Sequence, residues 1–242
     1  MRTGYLTVLF FLALVVSLLA RAPATLLAPV LDDRSAHRLR LVDGKGSIWS
    51  GTAGLSCVLP EGTSINCGRW GWKLVPENLL QGRFSLLIRR DGLDQSMLVS
   101  WAAGGLELER VAISLPAALV GSLDPKIAAL RLDGSLFISS AHHSSKGGQI
   151  KIFWQKMESS LLLDQPLGDH TIDVTTSEAG SSFVISSAPG PVVLSGGGTL
   201  SGTGKTSLEL TATVNSKNAA LPSLLSLLGR EVTPGQFSLK LP

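Results

Sequence analysis

LRLDGSLFIS, residues 130–139, is the stretch that decides the fold. Leu130, Leu132, Gly134, Leu136 and Ile138 alternate with Arg131, Asp133, Ser135, Phe137 and Ser139. Successive side chains of a strand point to opposite faces, so a period of two predicts a strand with one buried face. The pattern returns in SLELTATV (207–214) and around Trp70/Trp72/Leu74, Phe84/Leu86/Ile88, Ile150/Ile152/Trp154, Ile172/Val174 and Phe237/Leu239/Leu241. Clusters of Gly, Pro, Asp and Ser separate these runs, which predicts antiparallel pairing. Helix signals are few and short: Pro76–Gln81 closed by Gly82, Pro116–Leu123, and Leu221–Leu228 closed by Gly229. The expected fold is mainly β, an extended antiparallel domain with a few short helices.

A degenerate repeat divides this domain. Gly46-Ser47-Ile48-Trp49 corresponds to Gly134-Ser135-Leu136-Phe137, Gly68–Trp72 to Gly148–Ile152, and Leu79–Gly82 to Gln165–Gly168. Two similar β-units are therefore expected, residues 32–124 and 125–242, joined near Asp124-Pro125. Residues 179–204 carry no charge, and 13 of these 26 are Gly or Ser. Interrupted apolar runs exclude a membrane helix there, and tight strands with small side chains are expected, packed closely or lining an open groove.

Residues 1–31 read differently. From Gly4 to Ala20 the chain is uncharged and apolar, 17 residues near the lower limit for spanning a bilayer of about 30 Å. Arg21 follows, placed to snorkel to the headgroups. A single-pass anchor with a cytoplasmic stub is expected over 1–31. The competing reading is a cleaved secretory signal, whose cut sites at Ala20-Arg21-Ala22 and Ala22-Pro23-Ala24 are spoiled by Pro23. Both readings export residues 32–242. From Asp32 onward 19 basic residues face 18 acidic ones, which leaves no cationic stripe for a nucleic acid.

The only cysteines, Cys57 and Cys67, flank LPEGTSIN symmetrically about Gly62. A hairpin centred on Gly62 places them opposite each other, within reach of a disulfide. Two buried thiols in a reducing compartment are the alternative; export favours the disulfide.

No constellation for chemistry is recognised, so an enzyme is not expected, nor a cofactor or a metal. TLSGTGKT (199–206) approaches a phosphate-binding loop but has Thr199 where the motif needs Gly and a strand pattern where it needs a helix. His142 and His143 are adjacent and face opposite ways on a strand; His37 and His170 stand apart. The carboxylate pairs Asp32/Asp33, Glu107/Glu109 and Asp169/Asp173 lack any catalytic context, and Glu107 and Glu109 are expected on the solvated face. Trp49, Trp70, Trp72, Trp101 and Trp154 are expected to fill the core of a sheet poor in other aromatics.

Gly46-Ser-Ile-Trp49-Ser-Gly51-Thr-Ala53, followed by Trp70-Gly-Trp72-Lys-Leu-Val-Pro76-Glu-Asn-Leu-Leu80-Gln-Gly82, resembles type II secretion system protein N. The apolar N-terminus, Ile113-Ser-Leu-Pro116 and Gly190–Gly196 fit the same layout. The resemblance implies an inner-membrane protein with its N-terminus in the cytoplasm and a periplasmic β domain. It further implies an accessory role in protein secretion through contacts with other inner-membrane subunits, and it carries over no catalytic residues. The layout also looks like AsmA-type envelope proteins, which implies a groove for a lipid or other apolar ligand as a second reading.

Overall fold

The computed structural model describes the chain except residues 1, 60, 123–124, 163–165, 202–205, 216–219, 227–228 and 240–242, and additionally leaves aside the side chains of 2–8, 15–16, 125–126, 206, 208, 220 and 224. Helix α1 (Arg2–Ala20) leads through a 3-10 turn at Ala24–Leu26 into α2 (Leu27–Arg34). Six strands follow: β1 (Leu39–Gly46), β2 (Ser50–Val58), β3 (Ser64–Leu74), β4 (Phe84–Arg90), β5 (Ser96–Ala102) and β6 (Gly105–Pro116), with α3 (Pro76–Leu79) before β4. A 3-10 segment, Ala117–Ser122, and α4 (Pro125–Ala129) lead to β7 (Leu132–Ser144), β8 (Gly147–Ser159), β9 (Pro166–Ser177), β10 (Gly180–Ser187), β11 (Val192–Ser201) and β12 (Thr206–Val214). The described chain closes with α5 (Ala220–Ser226), β13 (Gly229–Thr233) and β14 (Gln236–Leu239).

All fourteen strands form one sheet in sequence order, except that β14 lies between β12 and β13. Every pairing is antiparallel, as the alternating patterns require. Leu130, Leu136, Leu210 and Ala212 are buried as expected; Leu208 and Leu241 lie outside the described side chains. The expected division at residue 124, itself outside the described residues, falls between β6 and β7, which pair from Glu107 to Pro116. The sheet continues across it without a break.

The strands turn at two rims. One carries Ser47–Trp49, α3 and the β5–β6 turn; the other carries α4, α5 and the 3-10 segment 117–122. Leu221 and Leu225 of α5 pack with Leu136, Trp154, Leu210, Phe237 and Leu239 into the main core at this second rim. Strands β1–β6 contribute little: Ala53, Cys57, Cys67, Ser85, Ser100 and Val111 are their buried residues. The accessible surface is 15018 Å², where a folded monomer of this mass exposes about 10,000 Å². This is an open, extended sheet.

One expectation is corrected. The disulfide Cys57–Cys67 is present with its Cα atoms 6.1 Å apart, but the hairpin is not centred on Gly62. Cys57 pairs with Ile65 and Val58 with Ser64, and the register shifts by one between Gly54 and Ser56. Cys67 sits at that bulge beside Gly68, which takes φ +92°, so the bridge runs diagonally. A membrane span is expected from Gly4 to Ala20. Its backbone is the 19-residue helix α1, and part of its side chains lies outside the described set. Among the described residues no helix is long and apolar enough to cross a membrane.

Candidate functional site at the helix–sheet junction

Gly46, Trp49, Gly51 and Trp72 gather around the β1–β2 turn, where the N-terminal segment meets the sheet, and Trp70 lies further along β3, opposite Ala53. Gly46 needs its positive φ of +90° to close β1, and a Cβ at Gly51 would strike the Lys45 carbonyl and the Trp72 ring. The Trp72 indole N–H donates to the Ser47 and Ile48 carbonyls at 3.1 Å. The Trp49 indole N–H donates to the Leu19 carbonyl, in the last turn of α1, at 2.7 Å. Two backbone links add to it: Ile48 N–H donates to Ala22 O at 3.0 Å, and Pro23 bridges to Ser47. The Leu19 carbonyl, at the helix end, also accepts the Ala22 N–H at 3.2 Å, so the tryptophan adds a second bond there.

This corrects the role expected for the tryptophans. Only Trp154 is buried; Trp101 is 59% exposed, and Trp49, Trp70 and Trp72 are half-buried. The indoles of Trp70 and Trp154 bond carbonyls too, Cys67 O at 3.0 Å and Asp133 O at 3.2 Å. Trp154 fills the core and clasps a bulge at once, while Trp49, Trp70 and Trp72 act as clasps more than as filling.

Pro76, Leu80 and Gly82 continue the motif along the same rim. Pro76 opens α3, and just upstream the N–H of Leu74, the last residue of β3, donates to Trp49 O at 2.7 Å. Gly82 (φ +70°) ends the turn, and Leu80 is 92% exposed. Next to it Phe84 pairs with Trp101, and Trp101 with Leu106. All three are exposed, as is Leu79. Phe84, Trp101 and Leu106 thus form an exposed cross-strand apolar row on the rim that carries Leu79 and Leu80.

The charged candidates are dispersed. Glu107 bonds Arg83 at 3.2 Å and Asp173 bonds Lys151 at 3.3 Å; Asp169 accepts the Lys156 backbone N–H at 2.7 Å, at a bulge in β8. Glu107 and Glu109 are half-buried, less solvated than expected, while Leu106 of the other face is exposed. Asp32, Asp33 and His37 bring their ligand atoms within 4.8 Å of one another at an exposed position. There the His37 imidazole, 2.8 Å away, holds the Asp32 carboxyl below its usual range. In TLSGTGKT, residues 202–205 lie outside the described residues; Thr206 begins strand β12, where a phosphate loop would need a helix.

One group escaped sequence reasoning. His170 is 1% exposed, its Nδ1 2.6 Å from Ser187 Oγ, and its Nε2 has no partner among the described residues. Burial lowers its pKa, against an opposing pull from the Asp169 carboxylate.

A groove of about 540 Å³ opens at the opposite rim, lined almost wholly by apolar side chains. Its floor is Ile138, Ile152, Trp154 and Ile172; Leu39 and Val58 face them because the sheet curls.

An extended, disulfide-bonded antiparallel sheet clasped to an apolar N-terminal helix is the class of protein these features define. Residues 37–240 match the family model described as type II secretion system (T2SS), protein N. The chain belongs to that family, which supports a role in type II secretion and an envelope location. No curated protein and no solved structure matches it.

Proposed function

We propose that the protein is an accessory inner-membrane component of the type II secretion apparatus, working through protein–protein contacts of a periplasmic β domain. In this reading α1 lies in the inner membrane with its N-terminus in the cytoplasm. Seven large apolar side chains support it: Leu9, Phe10, Phe11, Leu12, Leu14, Leu18 and Leu19 are all more than 40% exposed, around the helix, without a protein partner to cover them. The disulfide fits an oxidising compartment such as the periplasm.

The observation that carries the contact reading is the apolar patch of Leu80, Phe84, Trp101 and Leu106, on the rim to which α1 is clasped. A neighbouring inner-membrane subunit would meet this rim first. Trp is favoured at such interfaces because it buries a large rigid surface at low entropic cost. The domain does no chemistry in this reading.

The test is a photoreactive amino acid at Leu80 or Trp101 in cells making the whole apparatus. Adducts with other inner-membrane secretion subunits are expected, with none from a control position at Val184 on β10. Adducts absent from Leu80 and Trp101, or equal at Val184, refute the contact surface.

A further inference from the structure

The groove at the second rim has no part in the contact reading. We infer that it binds one long-chain fatty acid, its acyl chain on the isoleucine floor and its carboxylate at Arg38. Cross-strand pairing aligns Ile138 with Ile152 and Ile152 with Ile172, so the floor is a continuous row of β-branched side chains. Leu119 and Val120 of the 3-10 segment form one wall. The volume of about 540 Å³ falls within the roughly 300–1,000 Å³ of small-molecule sites.

The chemistry of the lining selects the occupant. Strands β7, β8 and β9 each have neighbours on both sides, so their amides and carbonyls are engaged in the sheet. Only Ser35 and Ser122 add uncharged polar side chains. A peptide laid in this groove would bury backbone N–H and C=O groups without partners, at a cost an acyl chain does not incur. Arg38 is the one charged residue of the lining. It is exposed and has no ion pair among the described residues, whereas Arg40 nearby is held by Asp32. One cation and room for one chain fit a single-chain carboxylate.

The position argues in the same direction. Leu39 and Val58 stand at the far end of β1 and β2 from the Trp49–Leu19 clasp. Eight residues of β1 separate them, about 26 Å at ~3.3 Å per residue. A ligand there is removed from α1, which favours a monomeric amphiphile over a phospholipid still seated in a bilayer.

The full chain, reconstituted in nanodiscs, is irradiated with palmitate bearing a mid-chain diazirine, and the adducts are mapped by peptide sequencing. Labelling of residues 119–138 and 152–172 is expected, in addition to background labelling of α1. Leu119→Trp, which fills the groove, should lower groove labelling about tenfold or more and leave α1 labelling unchanged. Arg38→Gln should lower it about two- to fivefold for palmitate and not for the matching neutral alcohol. Unchanged hydrogen-exchange protection of β7–β9 in both variants shows that the fold is kept.

Labelling confined to α1 overturns the site. Groove labelling indifferent to Leu119→Trp does so too. Equal loss of acid and alcohol in Arg38→Gln overturns the carboxylate. Competition by an apolar peptide as strong as by unlabelled palmitate overturns the acyl chain. Adducts from Leu80 or Trp101 are unaffected by any of these results, so the contact reading stands or falls separately.

Discussion

Removing the disulfide should loosen one part of the sheet and spare the rest. Cys57 and Cys67 are separated by 10 residues, and the chain-entropy relation for a loop of that length gives about 2.7 kcal/mol. The two positions are 2% and 0% exposed, so alanines there stay buried without leaving a polar group unpaired. The cross-link ties β2 to β3 in a region whose other buried residues are few, Ala53, Ser85 and Ser100 among them. The main core, from Ala117 to Leu239, lies at the other rim. Loss of the link should therefore act on a local opening. About 2.7 kcal/mol is roughly a 100-fold rise in the open fraction. Hydrogen exchange of Cys57→Ala/Cys67→Ala is the assay: amides from Gly51 to Lys73 should lose about 100-fold protection while those of β8–β12 keep theirs. Equal loss along the whole sheet would show a single cooperative unit and refute the division of the fold into tied and packed regions. A loss below about threefold would show that strand pairing alone holds the hairpin, contrary to the loop-entropy estimate.

Three further outcomes follow from individual residues. Gly196→Ala places a Cβ against the Glu209 carbonyl of β12 at φ +134°, which should cost about 3 kcal/mol or more in urea unfolding. His170 is held neutral by burial, so the unfolded chain takes up its proton first: the stabilisation is complete above about pH 6.5 and is lost as pH falls toward the lower folded value. The urea midpoint should drop between about pH 7.5 and about pH 5.5, and His170→Leu should flatten that drop. Trp49→Phe deletes the indole bond to Leu19 O, worth about 1 kcal/mol; limited proteolysis after Ala20 should speed up about fivefold, and no change would show that the backbone links alone hold the junction.

The strands were legible because burial on one face writes itself into the sequence with period two, as at Leu130–Ile138. The pairing of the cysteines was not fully legible. Symmetry about Gly62 predicts an opposed pair, but a bulge adds one residue to β3 and moves Cys67 off the register, and only the positive φ of Gly68 reveals it. The motif residues were visible in one dimension, yet their common purpose depends on Leu19, some thirty positions away, accepting a bond from Trp49. Composition argued for tryptophan as core filling; the bonding of the Trp49, Trp70, Trp72 and Trp154 indole N–H groups to backbone carbonyls at a helix end, a turn and two bulges depends on backbone positions that composition does not encode. His170 was seen as a lone histidine, and its burial arises from the register that sets it between Trp154 of β8 and Ser187 of β10. The groove needed the curl of the sheet, which brings Leu39 over Ile172 although 133 positions separate them.

The Gly/Ser-rich stretch explains why that curl leaves a groove on one part of the face and a packed core on another. One cross-strand row runs Ile113, Ile138, Ile152, Ile172 and Ile185 across β6–β10. Such β-branched neighbours stabilise pairing and hold the floor stiff. At β11 the row meets Gly196 and resumes at Leu210 of β12, which is buried in the core. Added Cβ atoms at Gly196, Gly197 and Gly198 would run into the carbonyls of Glu209, Phe183 and Ser207 in turn, so the three glycines permit close approach to both neighbouring strands. The small residues of 179–204 thus serve close packing, and the open apolar surface lies on the isoleucines. A bulky residue at Gly196 should consequently disturb β10–β12 and the core behind them, while the floor at Ile138, Ile152 and Ile172 keeps its register through pairings that do not involve β11.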